Sequence, residues 1–356
     1  MSRLQSLAPS DASLGSAILD RRGVLTGGAS LVLAACSREP PLTASRTPPL
    51  KMDALNTEVA ALAQRALPGV LGVGLMNLES GEHFTWQGDR PFPMQSVFKL
   101  PLGAAVLAEV DAGRLALSET LTVTPEALSP PWSPIADAYP ARSAYTIDEL
   151  LTAAVGESDN TAADMLMKRI GGPGAVTAWL VAQHIVETRV DRYERDVQCD
   201  VAGMASFRPA WKGAAFGAAK AGVPPERRRA AMLAYMADPR DTTTPRSMLT
   251  LLKALDAGGL ISAQSTRKLL AIMLRGSRGN DRLRAGLPAD ASFAHKPGTS
   301  GTDQGLSAAF NDVGIFTLKD RRSYAAAAFL SGSTASDAER AALFADLARA
   351  MVRNVG

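Results

Sequence analysis

Cysteine is nearly absent from this 356-residue chain, which has only Cys36 and Cys199. Two thiols imply no disulfide framework, and neither has a histidine at metal-ligand spacing. Histidine is as sparse: His83, His184 and His295 lie far apart, so no metal set is expected and no cofactor is implied. Charge of one sign is also lacking. The 38 basic and 35 acidic residues leave +3, and no basic stripe carries interleaved aromatics, so a nucleic-acid partner is not expected. The apolar run from Ala29 to Ala35 is too brief to span a bilayer. No internal repeat is evident. What is left is an ordinary globular composition, 46% hydrophobic and 21% charged, with length enough for a real core.

The N-terminus carries export features. Asp20-Arg21-Arg22-Gly23-Val24-Leu25 resembles a twin-arginine motif, and Leu33-Ala34-Ala35-Cys36 resembles the lipobox of bacterial lipoproteins. Residues 1–35 therefore read as an export signal. Cys36 reads as a lipidation site that anchors an exported, periplasmic protein to the membrane, and 36–50 as a tether rich in Pro, Ser, Thr and Arg.

Periodicity organises the rest. Leu55 to Leu67 predicts a helix stopped by Pro68-Gly69. Val70 to Leu78 and His83 to Trp86 predict a strand hairpin. Helices dominate the middle, one starting at Thr146 with Glu149 at the capping-box position, another at Ser158-Asp159-Asn160. Residues 188–196 are charged and aperiodic, hence loop-like, and a helix is predicted over Glu226–Met236. Strands return at 292–296, 310–316 and 324–330 before a closing helix. Strands at both ends with helices between predict an α/β (α+β) fold. Its α/β domain comprises 51–91 and 279–356 around a five-stranded antiparallel sheet, and 92–278 form an inserted all-helical domain.

Ser96-Val97-Phe98-Lys99 opens an apolar run reaching Val110. On a helix these two polar residues share a face, so the amine can reach the hydroxyl and help take its proton. Pro101, five residues on, predicts a small distortion there. Ser-x-x-Lys alone is a weak signal, but three more elements follow in order: Ser158-Asp159-Asn160, Glu194 within Arg192-Tyr193-Glu194, and Lys296-Pro297-Gly298. Together with Trp132-Ser133-Pro134 and Asp241-Thr242-Thr243, over roughly residues 51–356, the set resembles the class A β-lactamase family.

The resemblance implies a serine hydrolase that opens β-lactam antibiotics, with roles carried by matching positions. Ser96 is the nucleophile, and Lys99, or Glu194 through a water, takes its proton. The N–H groups of Ser96 and Thr299 form the oxyanion hole. Ser158, helped by Lys296, relays a proton to the lactam nitrogen. Asn160 holds the substrate's side-chain amide and braces Lys99, Trp132 stands at the entrance, and Glu194 activates the water that frees the acyl-enzyme. Arg192 and Asp241 pair to close an omega loop over 189–241. A monomer is the family's usual state.

Three departures stand out. Pro297 replaces a hydroxyl residue and lacks an N–H, tolerable on an edge strand, leaving Thr299 and Arg282 to hold the substrate carboxylate. Gln198 takes the place of an asparagine that helps hold the hydrolytic water. The return from Gln198 to Asp241 is about 30 residues longer than usual, so 199–240 is an insertion that either caps the cleft as a helical flap or packs away from it. Pro297 and Gln198 keep two alternatives open: a DD-peptidase-like hydrolase with weak lactamase activity, and a non-hydrolytic β-lactam-binding sensor. Trp132 and Arg282 resemble carbapenem-hydrolysing members, yet Gln95 and Ser300 replace the cysteine pair of several of those, so the substrate spectrum stays open.

Overall fold

A computed structural model describes residues 48–129, 131–208 and 211–356, which belong to one compact unit. The twin-arginine-like and lipobox residues, Cys36 included, lie outside the described residues. Leu50, assigned above to the tether, is buried, and its N–H donates to Glu82 Oε2 at 2.9 Å.

The frame is a five-stranded antiparallel sheet: β1 (Val70–Asn77), β2 (His83–Trp86), β3 (Ser292–Thr299), β4 (Phe310–Thr317) and β5 (Ser323–Ser331), in the spatial order β2-β1-β5-β4-β3. Because strand side chains alternate faces, β5 is sorted residue by residue. Tyr324, Ala326, Ala328 and Leu330 join a core with helix α1 (Met52–Arg65) and the C-terminal helix α2 (Asp337–Arg353). Ala325, Ala327 and Phe329 face a second, larger core built from the central helices. Alanine on both faces keeps the layers close, and burying each large aliphatic there contributes about 1.5–3 kcal/mol.

β3 is an edge strand, so the N–H missing at Pro297 falls where the sheet has pairing on one side only. Two helices begin on side-chain caps legible in the sequence. At Ile147–Gly156 Thr146 and Glu149 form the full capping box, and at Asn160–Arg169 the Asp159 carboxylate accepts from Ala162 N at 2.8 Å. Pro101 is the third residue of helix Lys99–Asp111, in the first turn, where its missing N–H has no partner inside the helix.

Candidate active site

Ser96 lies not in an α-helix but in a 3-10 turn, Gln95–Phe98, that feeds helix Lys99–Asp111. At three residues per turn, positions i and i+3 eclipse, and Lys99 Nζ meets Ser96 Oγ at 3.1 Å. Gly298 sets how closely β3 approaches this turn: a β-carbon there would stand 2.4 Å from the Met94 carbonyl oxygen. Only glycine lets Lys296 and Thr299 flank the serine at this spacing.

Lys99 is fully buried. Its amine donates to Asn160 Oδ1 at 2.5 Å and to the Ser158 carbonyl at 2.8 Å. Burial pushes its pKa down, against the opposing pull of the Glu194, Asp159 and Asp164 charges. A neutral amine keeps two hydrogens for those two acceptors and turns its lone pair to Ser96. Lys296 is likewise buried, donates to Ser158 Oγ at 3.0 Å, and is held well below the ordinary lysine range by burial first and the Lys99 charge second. Ser158 carries φ of 63°, a left-handed conformation that costs a serine about 1–3 kcal/mol. That twist presents both its carbonyl and its hydroxyl to Lys99, the hydroxyl at 3.4 Å.

Glu194 faces the same cleft from the other side. It is the first residue of an eight-residue helix, Glu194–Val201, rather than part of a loop as its charged surroundings predicted. The cap comes from afar: Asp164 Oδ1 accepts from Glu194 N at 2.7 Å, and Oδ2 from Arg195 N at 3.2 Å. Burial raises the Asp164 pKa to about 6. Sequence reasoning missed this residue, although Asp164 follows Asn160 by one helical turn and so points toward the same site. Gln198 Nε2 donates to Glu194 Oε1 at 2.7 Å, while Oε2 is buried with no hydrogen-bond partner among the described residues. A buried orphan carboxylate oxygen is the acceptor a catalytic water needs. The Arg192–Asp241 pair closes the base of this segment at 2.6 Å, with both side chains buried.

The cleft has a volume of about 730 Å³ and is lined by Ser96, Ser158, Asn160, Glu194, Gln198 and Thr299. Arg282 donates to Thr299 Oγ1 at 2.5 Å and to the carbonyls of Gly298 and Asn311, and its guanidinium lies 3.8 Å from the centre of the Phe310 ring. Trp132 stands at the mouth, 43% exposed, with its indole N–H on the Glu157 carbonyl and Arg278 stacked over it at 4.1 Å. All ten site residues expected from the sequence within the described chain line this cleft or bond directly to residues that do. Unforeseen were Arg278 and the insertion's Phe216 and Lys220, which line it too. Beyond the end of the Glu194–Val201 helix, the described residues of the insertion form the helices Ala214–Ala221 and Pro225–Ala237. Asp303, in the hairpin after β3, holds Lys220 and Arg228 at 3.2 and 3.0 Å.

Residues 54–355 match the model of the beta-lactamase enzyme family. The chain is 30% identical over 282 residues to beta-lactamase VEB-1 of Pseudomonas aeruginosa, covering 78% of this chain and 83% of that protein. It is 30% identical over 330 residues to the extended-spectrum beta-lactamase PER-1 of the same organism, covering 92% and 93%. Among solved structures, an ancestral class A beta-lactamase superposes with a TM-score of 0.68 at 32% identity, covering 84% of this chain and 99% of that one.

Proposed function

The chain belongs to the class A serine β-lactamases and hydrolyses the β-lactam amide; from that premise we propose how its residues divide the work. Arg282 and Thr299 hold the substrate carboxylate, and Asn160 the side-chain amide. Lys99, biased by burial toward its neutral form, takes the proton as Ser96 Oγ attacks the lactam carbonyl. The N–H groups of Ser96 and Thr299 receive the negative charge that develops on the carbonyl oxygen. As the C–N bond breaks, the Ser158 hydroxyl, hydrogen-bonded to both Lys296 and Lys99, delivers its proton to the departing nitrogen and takes in its place the proton that Lys99 gained from Ser96. Glu194 then draws a proton from water through Oε2, the hydroxide adds to the Ser96 ester, and the expelled Ser96 oxygen recovers that proton, which regenerates the enzyme.

The observation that carries this reading is the buried Oε2 of Glu194, on the same cleft as Ser96 and without a partner among the described residues. A sensor that keeps its adduct gains nothing from such a group. Turnover of a chromogenic cephalosporin, followed by intact-mass spectrometry, tests it. Rapid turnover with the mass returning to that of the free protein is expected. A persistent adduct would favour the sensor, and neither turnover nor adduct the peptidase-like hydrolase.

We further propose that the protein is exported, anchored through a lipid on Cys36 and monomeric, with 92–278 as a helical domain inserted into the sheet domain. No helix among the described residues is long and apolar enough to cross a membrane. Cys36→Ser should move the enzyme from the membrane fraction to the soluble fraction, and unchanged fractionation would refute the anchor.

A further inference from the structure

The insertion is wired to the catalytic carboxylate through side chains. Gln198 Nε2 donates to Glu194 Oε1 at 2.7 Å and approaches Gln95 Oε1 at 3.4 Å. Gln95 Nε2 in turn donates to the Tyr235 hydroxyl at 2.8 Å. Tyr235 belongs to the insertion's second helix, 3% exposed, and Gln95 is also buried.

The polarity of this chain follows from chemistry. An ionised carboxylate only accepts, so the Gln198 amide must turn its NH₂ to Glu194. Its second hydrogen then needs an acceptor, which requires Gln95 to present Oε1. That choice sends the Gln95 NH₂ to Tyr235, whose hydroxyl oxygen accepts it. Reversing either amide would set oxygen against oxygen or NH₂ against NH₂ in a buried space. Gln95 also has φ of 46°, a conformation a glutamine adopts only when its surroundings enforce it.

We propose that Gln95 and Tyr235 are positioning residues for deacylation: they lock the Gln198 amide onto Glu194 Oε1 and so leave Oε2 as the oxygen that takes the water. The inference rests on the assignment of Glu194 as the deacylating base. It gives the added methylene of Gln198 a purpose, since a longer amide reaches both the carboxylate and Gln95. It also gives the insertion a part in turnover as well as in shaping the cleft.

The test compares acylation and deacylation rates in the parent, Gln95→Met, Tyr235→Phe, Gln198→Ala and the Gln95→Met/Gln198→Ala double variant, with Glu194→Ala alongside. Methionine keeps the β-carbon and length of glutamine but removes the amide. Gln95→Met should slow deacylation about tenfold with acylation within about twofold, because a hydrogen bond that orients an ionised group is worth that much. Tyr235→Phe, which deletes one oxygen and guards against a folding failure at Gln95, should slow it about threefold. In the Gln198→Ala background Gln95→Met should add nothing, since its action runs through Gln198. A purely structural role would slow both steps or add independently. Parent deacylation in both Gln95→Met and Tyr235→Phe, or additive effects in the double variant, overturns the inference while Glu194→Ala stays acylated. Free turnover by Glu194→Ala overturns the underlying assignment and the inference with it.

Discussion

Lys296 Nζ lies 3.0 Å from Ser158 Oγ, and Lys99 Nζ approaches the same hydroxyl at 3.4 Å. Two buried amines thus share one hydroxyl, and after burial itself the Lys99 charge is what lowers the affinity of Lys296 for a proton. In the mechanism proposed above, this arrangement moves protons between the nucleophile's side of the cleft and the leaving nitrogen.

Ser158→Ala should therefore lower the acylation rate by about 10²–10⁴-fold, the usual worth of a positioned proton donor. Deacylation, which the proposed mechanism routes through Glu194, should change far less. Stopped-flow measurement of the two steps checks this. An equal loss in both would mean that Ser158 acts by holding Lys99 in place.

Asp164 predicts a pH signature in stability. Its folded pKa, raised by burial to about 6, exceeds the ordinary aspartate value of 3.8, so the folded state binds the proton more tightly. The contribution is full below the unfolded pKa and is lost as pH rises through about 6. The stability of the parent relative to Asp164→Asn should fall by about 2–3 kcal/mol between pH 4 and 7. Melting curves across that range decide it, and a gap that grows with pH would contradict the assignment.

The insertion should tune substrate choice through Asp303. That carboxylate ties Lys220 and Arg228 to the hairpin after β3, and Gln304 Nε2 adds a bond to the Pro225 carbonyl at 2.6 Å. Asp303→Ala leaves two cations facing each other and loosens the wall carrying Phe216. With such a network worth about 1 kcal/mol, the kcat/KM ratio between bulky and small β-lactams should shift several-fold. Identical ratios in a folded variant would place the insertion outside substrate selection.

How much of this was legible varies with the distance over which each feature is encoded. The paired Ser96 and Lys99 and the capping box at Thr146 and Glu149 rest on local spacing, and the sequence shows them, whereas the edge position of Pro297 came from the family resemblance and is a matter of sheet order. The helix at Glu194 did not show, because its cap is Asp164, thirty residues upstream, while its own sequence is charged and aperiodic. The 3-10 turn at Ser96 leaves no local mark either, since Ser-x-x-Lys suits both helix types. Tyr235 reads as one more apolar position on a helix until folding brings it to Gln95.

The central claim is that Glu194 releases what Ser96 captures. Glu194→Ala, mixed with a penicillin and examined by intact-mass spectrometry and peptide mapping, tests it directly. The account predicts that the variant acylates at Ser96 and retains the added mass of one β-lactam over minutes to hours while the parent shows only free enzyme. Turnover by the variant at the parent rate, or an adduct on a residue other than Ser96, would contradict it.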